Sequence, residues 1–120
     1  MMKSAFFVLA ATLIVAPASA HPRLIGTNPA ANATVGPPAA IALSFNERVV
    51  PRFTGATVTM TTGSGAGHAV TGLTPAFGAD GKTLKLASAH PLTRGSYNVA
   101  WHAVASDTHR VAGRFSFRVR

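Results

Sequence analysis

The sequence predicts an all-β domain, an antiparallel Greek-key β-sandwich or barrel of about seven strands with an immunoglobulin-like layout. Apolar and polar residues alternate with a period of two in several stretches, which is typical of half-buried strands. Turn-forming Gly, Pro, Asn and Asp residues recur roughly every 8 to 12 residues. No stretch carries an apolar helical stripe over three turns. The chain has no cysteine, so it lacks the disulfide of immunoglobulin domains.

The first twenty residues have the three parts of a secretory signal peptide. Lys3 supplies the positive start, residues 5–16 form an apolar run, and residues 18–20 are a small-x-small cleavage sequence. A retained membrane anchor is the alternative, but the apolar run is shorter than the roughly 20 residues that span a bilayer. We expect cleavage after Ala20. Residues 21–120 then form one domain in the periplasm, a location that suits a chain without cysteine.

The chain is strongly basic, with eleven Lys and Arg against three Asp and Glu and a formal net charge of +8. Such a positive charge is typical of proteins that bind nucleic acid or an anionic membrane. The basic residues are scattered singly, however, without a block of charge or an aromatic platform for stacked bases. Because export also argues against nucleic acid, we interpret most of these residues as solvated strand faces and expect no nucleic-acid partner.

In the first half of the domain, short predicted strands alternate with turn signals. Residues 23–34 predict a short edge strand followed by a turn. Strict alternation at 41–46 predicts a half-buried strand, and the β-branched run at 56–61 predicts another. The Gly-Ser-Gly-Ala-Gly sequence at 63–67 predicts a flexible loop between strands.

The next third carries weaker signals. Residues 68–73 predict a further short strand, although the pattern is brief. Asp80 and Gly81 form a strong tight-turn signal. The residues that follow, 83–86, predict a strand after this turn.

The last third contains the two clearest strands. Alternation is sustained over residues 97–104 and again over 111–119, so we expect two long strands that face one core. Trp101 lies in phase with the apolar positions, which predicts a core anchor. The connecting loop, residues 105–110, lies at one end of the sandwich.

Asp107 and His109 in this loop could share a target. In an extended or gently turned backbone, side chains two residues apart point to the same side. Alone this signal is weak, because a single loop histidine is usually solvated. After the expected cleavage, however, His21 is the first residue, with a free α-amine beside its imidazole. The start of a β-sandwich can lie beside a loop at its end, so the three residues could meet.

Together these residues would offer three nitrogen ligands and one carboxylate. Nitrogen ligands with a carboxylate in a tetragonal arrangement favour Cu(II), whereas Zn(II) accepts similar ligands in a tetrahedral arrangement. Pro22 has no backbone N–H, so the second residue cannot provide a deprotonated amide. The metal would therefore need side chains from elsewhere, which Asp107 and His109 could supply.

Four stretches give the chain a resemblance to the CopC family of periplasmic copper-resistance and copper-trafficking proteins. They are HPRL at 21–24, NPA at 28–30, IALSFNE at 41–47 and YNVAWHAVASDTH at 97–109. The resemblance covers nearly all of the mature chain. It implies a small Greek-key, CopC-like copper-binding domain over residues 21–120 that binds one Cu(II) per chain.

The resemblance also implies the residues of the site. Its copper ligands would be the amine and side chain of His21, with Asp107 and His109. Glu47 matches an acidic residue of the family, which implies a supporting role beside the ligands. An ion pair of Glu47 with Arg48 or another cation is the alternative.

Some CopC-type proteins have a second, Cu(I) site in a methionine-rich loop with a histidine. Here His68 falls near the matching place, but Met60 is the only methionine left after cleavage. Because Cu(I) selects several soft thioether ligands, we expect no such site. Met60 is then a core residue and His68 a surface residue. We assign no metal role to His90 or His102.

The sequence therefore favours a non-enzymatic periplasmic Cu(II) carrier or buffer in copper homeostasis or resistance. The family resemblance implies an inner-membrane CopD-type copper transporter as partner, and we expect a monomer. An oxidative copper enzyme of the N-terminal histidine-brace type, as in polysaccharide monooxygenases, is the alternative. The small size of the domain and the extra carboxylate of Asp107 argue against that enzyme. A β-sandwich interaction module with incidental histidines is a third hypothesis.

Overall fold

Alternating burial along the strands builds a two-layer β-sandwich. We describe the fold from a computed structural model, which covers residues 21–120 together with Ala5 and Ala10. Apart from Ala5 and Ala10, the expected signal peptide at residues 1–20 lies outside the described residues. The strands are β1 (Leu24–Asn28), β2 (Thr34–Val35), β3 (Ala40–Phe45), β4 (Gly55–Met60), β5 (Leu73–Phe77), β6 (Thr83–Ser88), β7 (Gly95–Val104) and β8 (Arg110–Val119), with a 3₁₀ helix at Pro51–Phe53 between β3 and β4.

The strands form two four-stranded sheets, in the orders β1-β3-β6-β5 and β2-β8-β7-β4. Every pairing is antiparallel except that of the short β2 with β8. Consecutive residues of a strand point to opposite faces, so each sheet turns every second side chain inward. The core between the sheets consists of Ile41, Leu43, Phe45, Val49, Val58, Met60, Leu84, Leu86, Leu92, Tyr97, Val99, Ala103, Phe115, Phe117 and Val119.

The two long strands predicted in the last third are confirmed. β7 and β8 pair along their whole length, from Gly95 opposite Val119 to Val104 opposite Arg110. Within this ladder the rings of Tyr97 and Phe117, which are directly opposite, stack with centroids 5.3 Å apart. Such a cross-strand aromatic pair sets the register, and with it the position of the loop between the strands.

The fold class is confirmed, with eight strands instead of about seven. The additional strand, β2, has only two residues and lies in a segment whose sequence predicts a turn. The strand predicted at 68–73 was wrong, because that segment contributes only an isolated bridge from Ala69 to Thr59. Gly67 and Gly72 flank it with φ angles of 82° and 75°, a left-handed conformation that interrupts a strand.

The strand that follows this segment is β5, at an edge of the first sheet. It contains Pro75, which has no N–H to donate to a ladder and is therefore tolerated at an edge. Within the described part of the chain, no helix is long and apolar enough to cross a membrane.

Candidate metal centre

The segment that carries His21 is attached to the first sheet by its next three residues. Pro22 is buried, and Leu24 pairs with Phe45 and packs against the core. Between them, the N–H of Arg23 donates to Oδ1 of Asn46 at 2.6 Å, and the N–H of Asn46 donates to the carbonyl of Arg23 at 3.0 Å. These contacts hold the backbone just after His21, whose side chain is 54% exposed.

Asp107 and His109 lie on the tight loop between β7 and β8. The N–H of Thr108 donates to the carbonyl of Ala105 at 3.0 Å, and Oδ1 of Asp107 accepts the N–H of His109 at 3.1 Å. Thr108 has a φ of 65°, a left-handed conformation that is strained for a β-branched residue. Of the extended or gently turned backbone that the sequence allowed, the structure shows a turn, which the carboxylate of Asp107 closes.

The base of this loop is fixed in the core. Ala105 is completely buried and Val104 nearly so. The carbonyl of Val104 accepts the N–H of Val50 at 2.7 Å, and its N–H donates to Oγ1 of the buried Thr54 at 3.2 Å. The connection between β3 and β4 thus holds the end of β7, so the loop projects from a fixed point.

His21, Asp107 and His109 meet at this end of the sandwich. Oδ2 of Asp107 lies 3.2 Å from Nδ1 of His21 and 3.2 Å from Nδ1 of His109. The two imidazole rings stack, with centroids 5.1 Å apart and an angle of 28° between their planes. Asp107 is the most shielded of the three, with a side chain only 19% exposed, against 71% for His109. We call this arrangement the metal cluster.

The spacing of the ligand atoms in the metal cluster fits one metal ion. One ligand atom from each residue lies within 4.8 Å of the others. Ligands bound at about 2.0–2.2 Å lie about 3 Å apart when adjacent and about 4 Å apart when opposite, so small side-chain rotations bring all three into range. Two imidazoles and a carboxylate suit Cu(II) or Zn(II). Among residues 21–120 no other group of three such side chains comes together.

Glu47 lies just after β3, half-buried and outside the metal cluster. In the described part of the chain, neither a hydrogen bond nor an ion pair joins Glu47 to the cluster, so its supporting role stays a prediction. The alternative pair with Arg48 is not formed. Arg48 instead donates from Nη1 to the carbonyl of Asp80 at 3.0 Å.

Met60 is a core residue and His68 a surface residue, as predicted. The backbone N–H of Met60 donates to the carbonyl of His68 at 3.1 Å, while the thioether packs against glycines. A Cβ on Gly65 would lie 2.9 Å from its sulfur. The sulfur is therefore part of the packing of the domain.

The remaining histidines and the tryptophan lie outside the metal cluster. His90 is exposed, whereas His102 is half-buried. Partial burial lowers the pKa of His102 below its ordinary value of 6.5, and the charge of Arg110 lowers it further. Trp101 is half-buried and packs against the core, with its ring edge-on to Phe45 at 5.5 Å. Its role as an anchor is confirmed, although its indole is less enclosed than expected.

Two residues that position the site were not predicted from the sequence. Asn46 holds the segment after His21, and Thr54 holds the end of β7. Asn46 ends the alternating 41–46 stretch, where a polar residue is ordinary. Thr54 precedes a β-branched strand and carries no signal of its own. Only the pairing of distant strands gives either residue its partner.

The fold and the metal cluster define a small β-sandwich protein with a metal-ligand group at one end. A model of the CopC domain matches residues 24–120. The chain is 41% identical over 113 residues to copper resistance protein C of Pseudomonas syringae pv. tomato, covering 92% of this chain and 90% of that protein. It is 42% identical over 115 residues to copper resistance protein C of Xanthomonas campestris pv. juglandis, covering 94% and 91%.

Solved structures agree. The crystal structure of PcoC, a methionine-rich copper resistance protein from Escherichia coli, superposes with a TM-score of 0.77 at 38% identity, covering 84% of this chain and all of that one. CopC from Methylosinus trichosporium OB3b superposes with a TM-score of 0.69 at 27% identity, covering 82% and 93%. The chain therefore belongs to the CopC family.

Membership settles the class of function. The CopC family consists of non-enzymatic copper-binding proteins of copper resistance, so the expectation that this chain is not an enzyme is confirmed. Membership therefore argues against the histidine-brace alternative. Proteins of this family are periplasmic.

Proposed function

We propose that the mature protein binds one Cu(II) ion at His21, Asp107 and His109 and acts as a periplasmic copper carrier or buffer in copper homeostasis or resistance. The observation that carries the proposal is the approach of both imidazoles to one carboxylate oxygen, each at 3.2 Å. The copper-binding character of the CopC family supports copper over zinc for this donor set.

Each residue has a distinct part in holding the ion. When residues 1–20 are removed, the α-amine and Nδ1 of His21 can close a six-membered chelate ring with the metal. Asp107 contributes a negative charge that favours a divalent cation, and the hydrogen bond to its Oδ1 keeps Oδ2 directed at the imidazoles. His109 adds the second imidazole, whose Nδ1 lies 3.2 Å from the same carboxylate oxygen.

The removal of residues 1–20 is a maturation step on this proposal. While Ala20 is attached, the nitrogen of His21 is an amide and the chelate cannot form. We propose that export through the signal peptide produces the copper-competent protein. We further propose that it works as a monomer and exchanges copper with an inner-membrane CopD-type transporter, a partner supported by the family resemblance alone.

The decisive experiment compares the mature protein with a variant that carries one extra glycine before His21. Cu(II) affinity is measured by titration against a strong chelator, and the nitrogen coupling is read by EPR. The extension should weaken binding by orders of magnitude and change the EPR nitrogen pattern. A glycine added after Arg120 is the matched control and should change neither. Equal affinity in all three proteins would show that the amine is not a ligand.

Substitutions test the other two ligands in the same titration. His109→Ala and Asp107→Ala should each weaken Cu(II) binding while the domain stays folded, since both side chains lie on an exposed loop. His90→Ala removes an exposed histidine outside the metal cluster and should leave the affinity unchanged. Loss of affinity in this control as large as in the ligand variants would contradict the assignment.

A further inference from the structure

A groove of about 640 Å³ opens beside the metal cluster. One side is formed by the 3₁₀ helix and the residue before it, and the other by the end of β7 and the start of β8. We call it the Phe53 groove. Its lining residues are Val50, Arg52, Phe53, His102, Val104, Thr108 and Arg110. Thr108 lies between Asp107 and His109, so the groove and the metal cluster share one loop.

The groove carries an exposed aromatic ring. Phe53 is 49% exposed, and among the described residues only Ile25 is a comparably exposed large hydrophobic side chain. The guanidinium of Arg52 lies over the Phe53 ring, 4.7 Å from its centroid. A single exposed apolar residue needs no explanation, but one that lines a concave groove rimmed by charge is typical of an interaction site.

The charge of the groove has one sign. Arg52 and Arg110 both line it, and within residues 21–120 neither has a carboxylate within 4.0 Å. None of the three acidic side chains of the domain lines the groove. Asp107 faces the two histidines, Asp80 accepts the N–H of Lys82, and Glu47 lies just after β3. The Phe53 groove therefore offers an exposed aromatic ring and two guanidinium groups that have no carboxylate partner within residues 21–120. The complement of such a groove is a carboxylate-bearing segment.

We propose that the Phe53 groove docks an acidic segment of a protein that exchanges copper with this one. Carboxylates of the segment pair with Arg52 and Arg110, and an apolar side chain packs on Phe53. Docking there brings the partner beside the Asp107–His109 loop. The copper part of this proposal rests on the proposed function, whereas the docking does not. A lipid surface is disfavoured because the groove is concave and offers one aromatic ring.

The test uses a defined probe on the metal-free, ¹⁵N-labelled mature protein. The probe is acetyl-Asp-Glu-Leu-Asp-Glu-amide, and acetyl-Asn-Gln-Leu-Asn-Gln-amide is its neutral counterpart. The acidic peptide should produce saturable shifts at residues 50–53 and 104–110 that weaken with salt. The neutral peptide should bind at least about tenfold more weakly, because it forms no charge-assisted contacts.

Matched variants distinguish binding in the groove from a general effect of positive charge. Phe53→Ser and the double variant R52Q/R110Q should lose the shifts, whereas R94Q/R118Q, which removes the same charge at exposed positions outside the groove, should keep them. Absent or scattered shifts, or equal losses in the two double variants, would overturn the docking site. Stronger Phe53-dependent binding to phosphatidylglycerol vesicles would also overturn it, in favour of a membrane.

A second measurement tests the link to copper. Cu(II) transfer from the loaded protein to an excess of Gly-Gly-His peptide should be faster when the acidic sequence follows that chelator than when the neutral sequence does. The Phe53→Ser variant should keep its Cu(II) affinity and lose the acceleration. Docking without acceleration would overturn the role in exchange. A failure of the metal cluster itself would appear separately, as weak Cu(II) affinity in the parent protein.

Discussion

The contact between Asn46 and Arg23 predicts how strongly the N-terminal segment contributes to copper binding. Asn46→Ala removes the hydrogen bond from the N–H of Arg23 to Oδ1, which is 2.6 Å long. The backbone bond from the N–H of Asn46 to the carbonyl of Arg23 does not depend on the side chain and is retained. The variant therefore loosens the segment that carries His21 without releasing it.

The size of the effect follows from that single bond. A hydrogen bond of this kind contributes about 0.5–1.5 kcal/mol net. In the Asn46→Ala variant, copper binding must order the segment that the Asn46 side chain holds in the parent protein. The free energy of the lost hydrogen bond is then subtracted from the free energy of copper binding. Since about 1.4 kcal/mol corresponds to a tenfold change, Cu(II) affinity should fall by about 2- to 12-fold. This loss is far smaller than the loss expected from the N-terminal extension, which would remove the proposed amine ligand.

The assay is chelator competition on mature proteins, with urea unfolding as a check on the fold. Asn46→Asp keeps an acceptor oxygen and should restore most of the affinity. Asn98→Ala is the control, because Asn98 is half-buried and makes no side-chain hydrogen bond within residues 21–120. An unchanged affinity in Asn46→Ala, or an equal loss in the Asn98 variant, would refute the positioning role.

Two further predictions concern the sandwich. Gly113→Ala should destabilise the domain by about 1–3 kcal/mol in urea unfolding, because the added Cβ would lie 2.7 Å from the Trp101 ring. Gly26→Ala is the control and should have little effect, because a Cβ at that position has no atom within 4 Å. As the pH falls through 6.5, the His102 side chain should be protonated in the unfolded chain before it is protonated in the folded one, because burial and then Arg110 lower its folded pKa. Stability should therefore fall over that pH range, and His102→Asn should show a shallower fall; an identical pH profile would contradict this.

Much of the fold follows from periodicity, because a strand that faces a core must alternate. Residues 41–46 and the two long strands of the last third show this pattern clearly. Their burial alternates as expected except at the end of β7, where Ala103 and Val104 are both buried. The two-residue β2 has no such signal, because its pairing depends on β8 alone. The prediction of a strand at 68–73 was wrong, because the glycines that flank this brief apolar pattern adopt a left-handed conformation and interrupt the strand.

The candidate site was predictable in its members but not in its geometry. The two histidines, the aspartate and a predicted cleavage site are visible in the sequence, and the loop between two long strands is a natural place for ligands. The approach of His21 to Asp107, however, depends on the pairing of β1 with β3 and of β7 with β8. The same long-range pairing gives Asn46 and Thr54 their partners, so no local pattern could identify them.

The metal cluster joins the two sheets of the sandwich. His21 precedes β1 in the first sheet, whereas Asp107 and His109 lie between β7 and β8 in the second. An ion bound by all three would therefore link the two sheets, which no strand pairing joins within residues 21–120. A ligand that binds only the folded state stabilises it in proportion to the logarithm of its concentration over Kd. If the proposed cleavage after Ala20 and the proposed site are both correct, cleavage would control two properties at once: it would create the amine that binds copper, and it would allow copper to stabilise the mature domain.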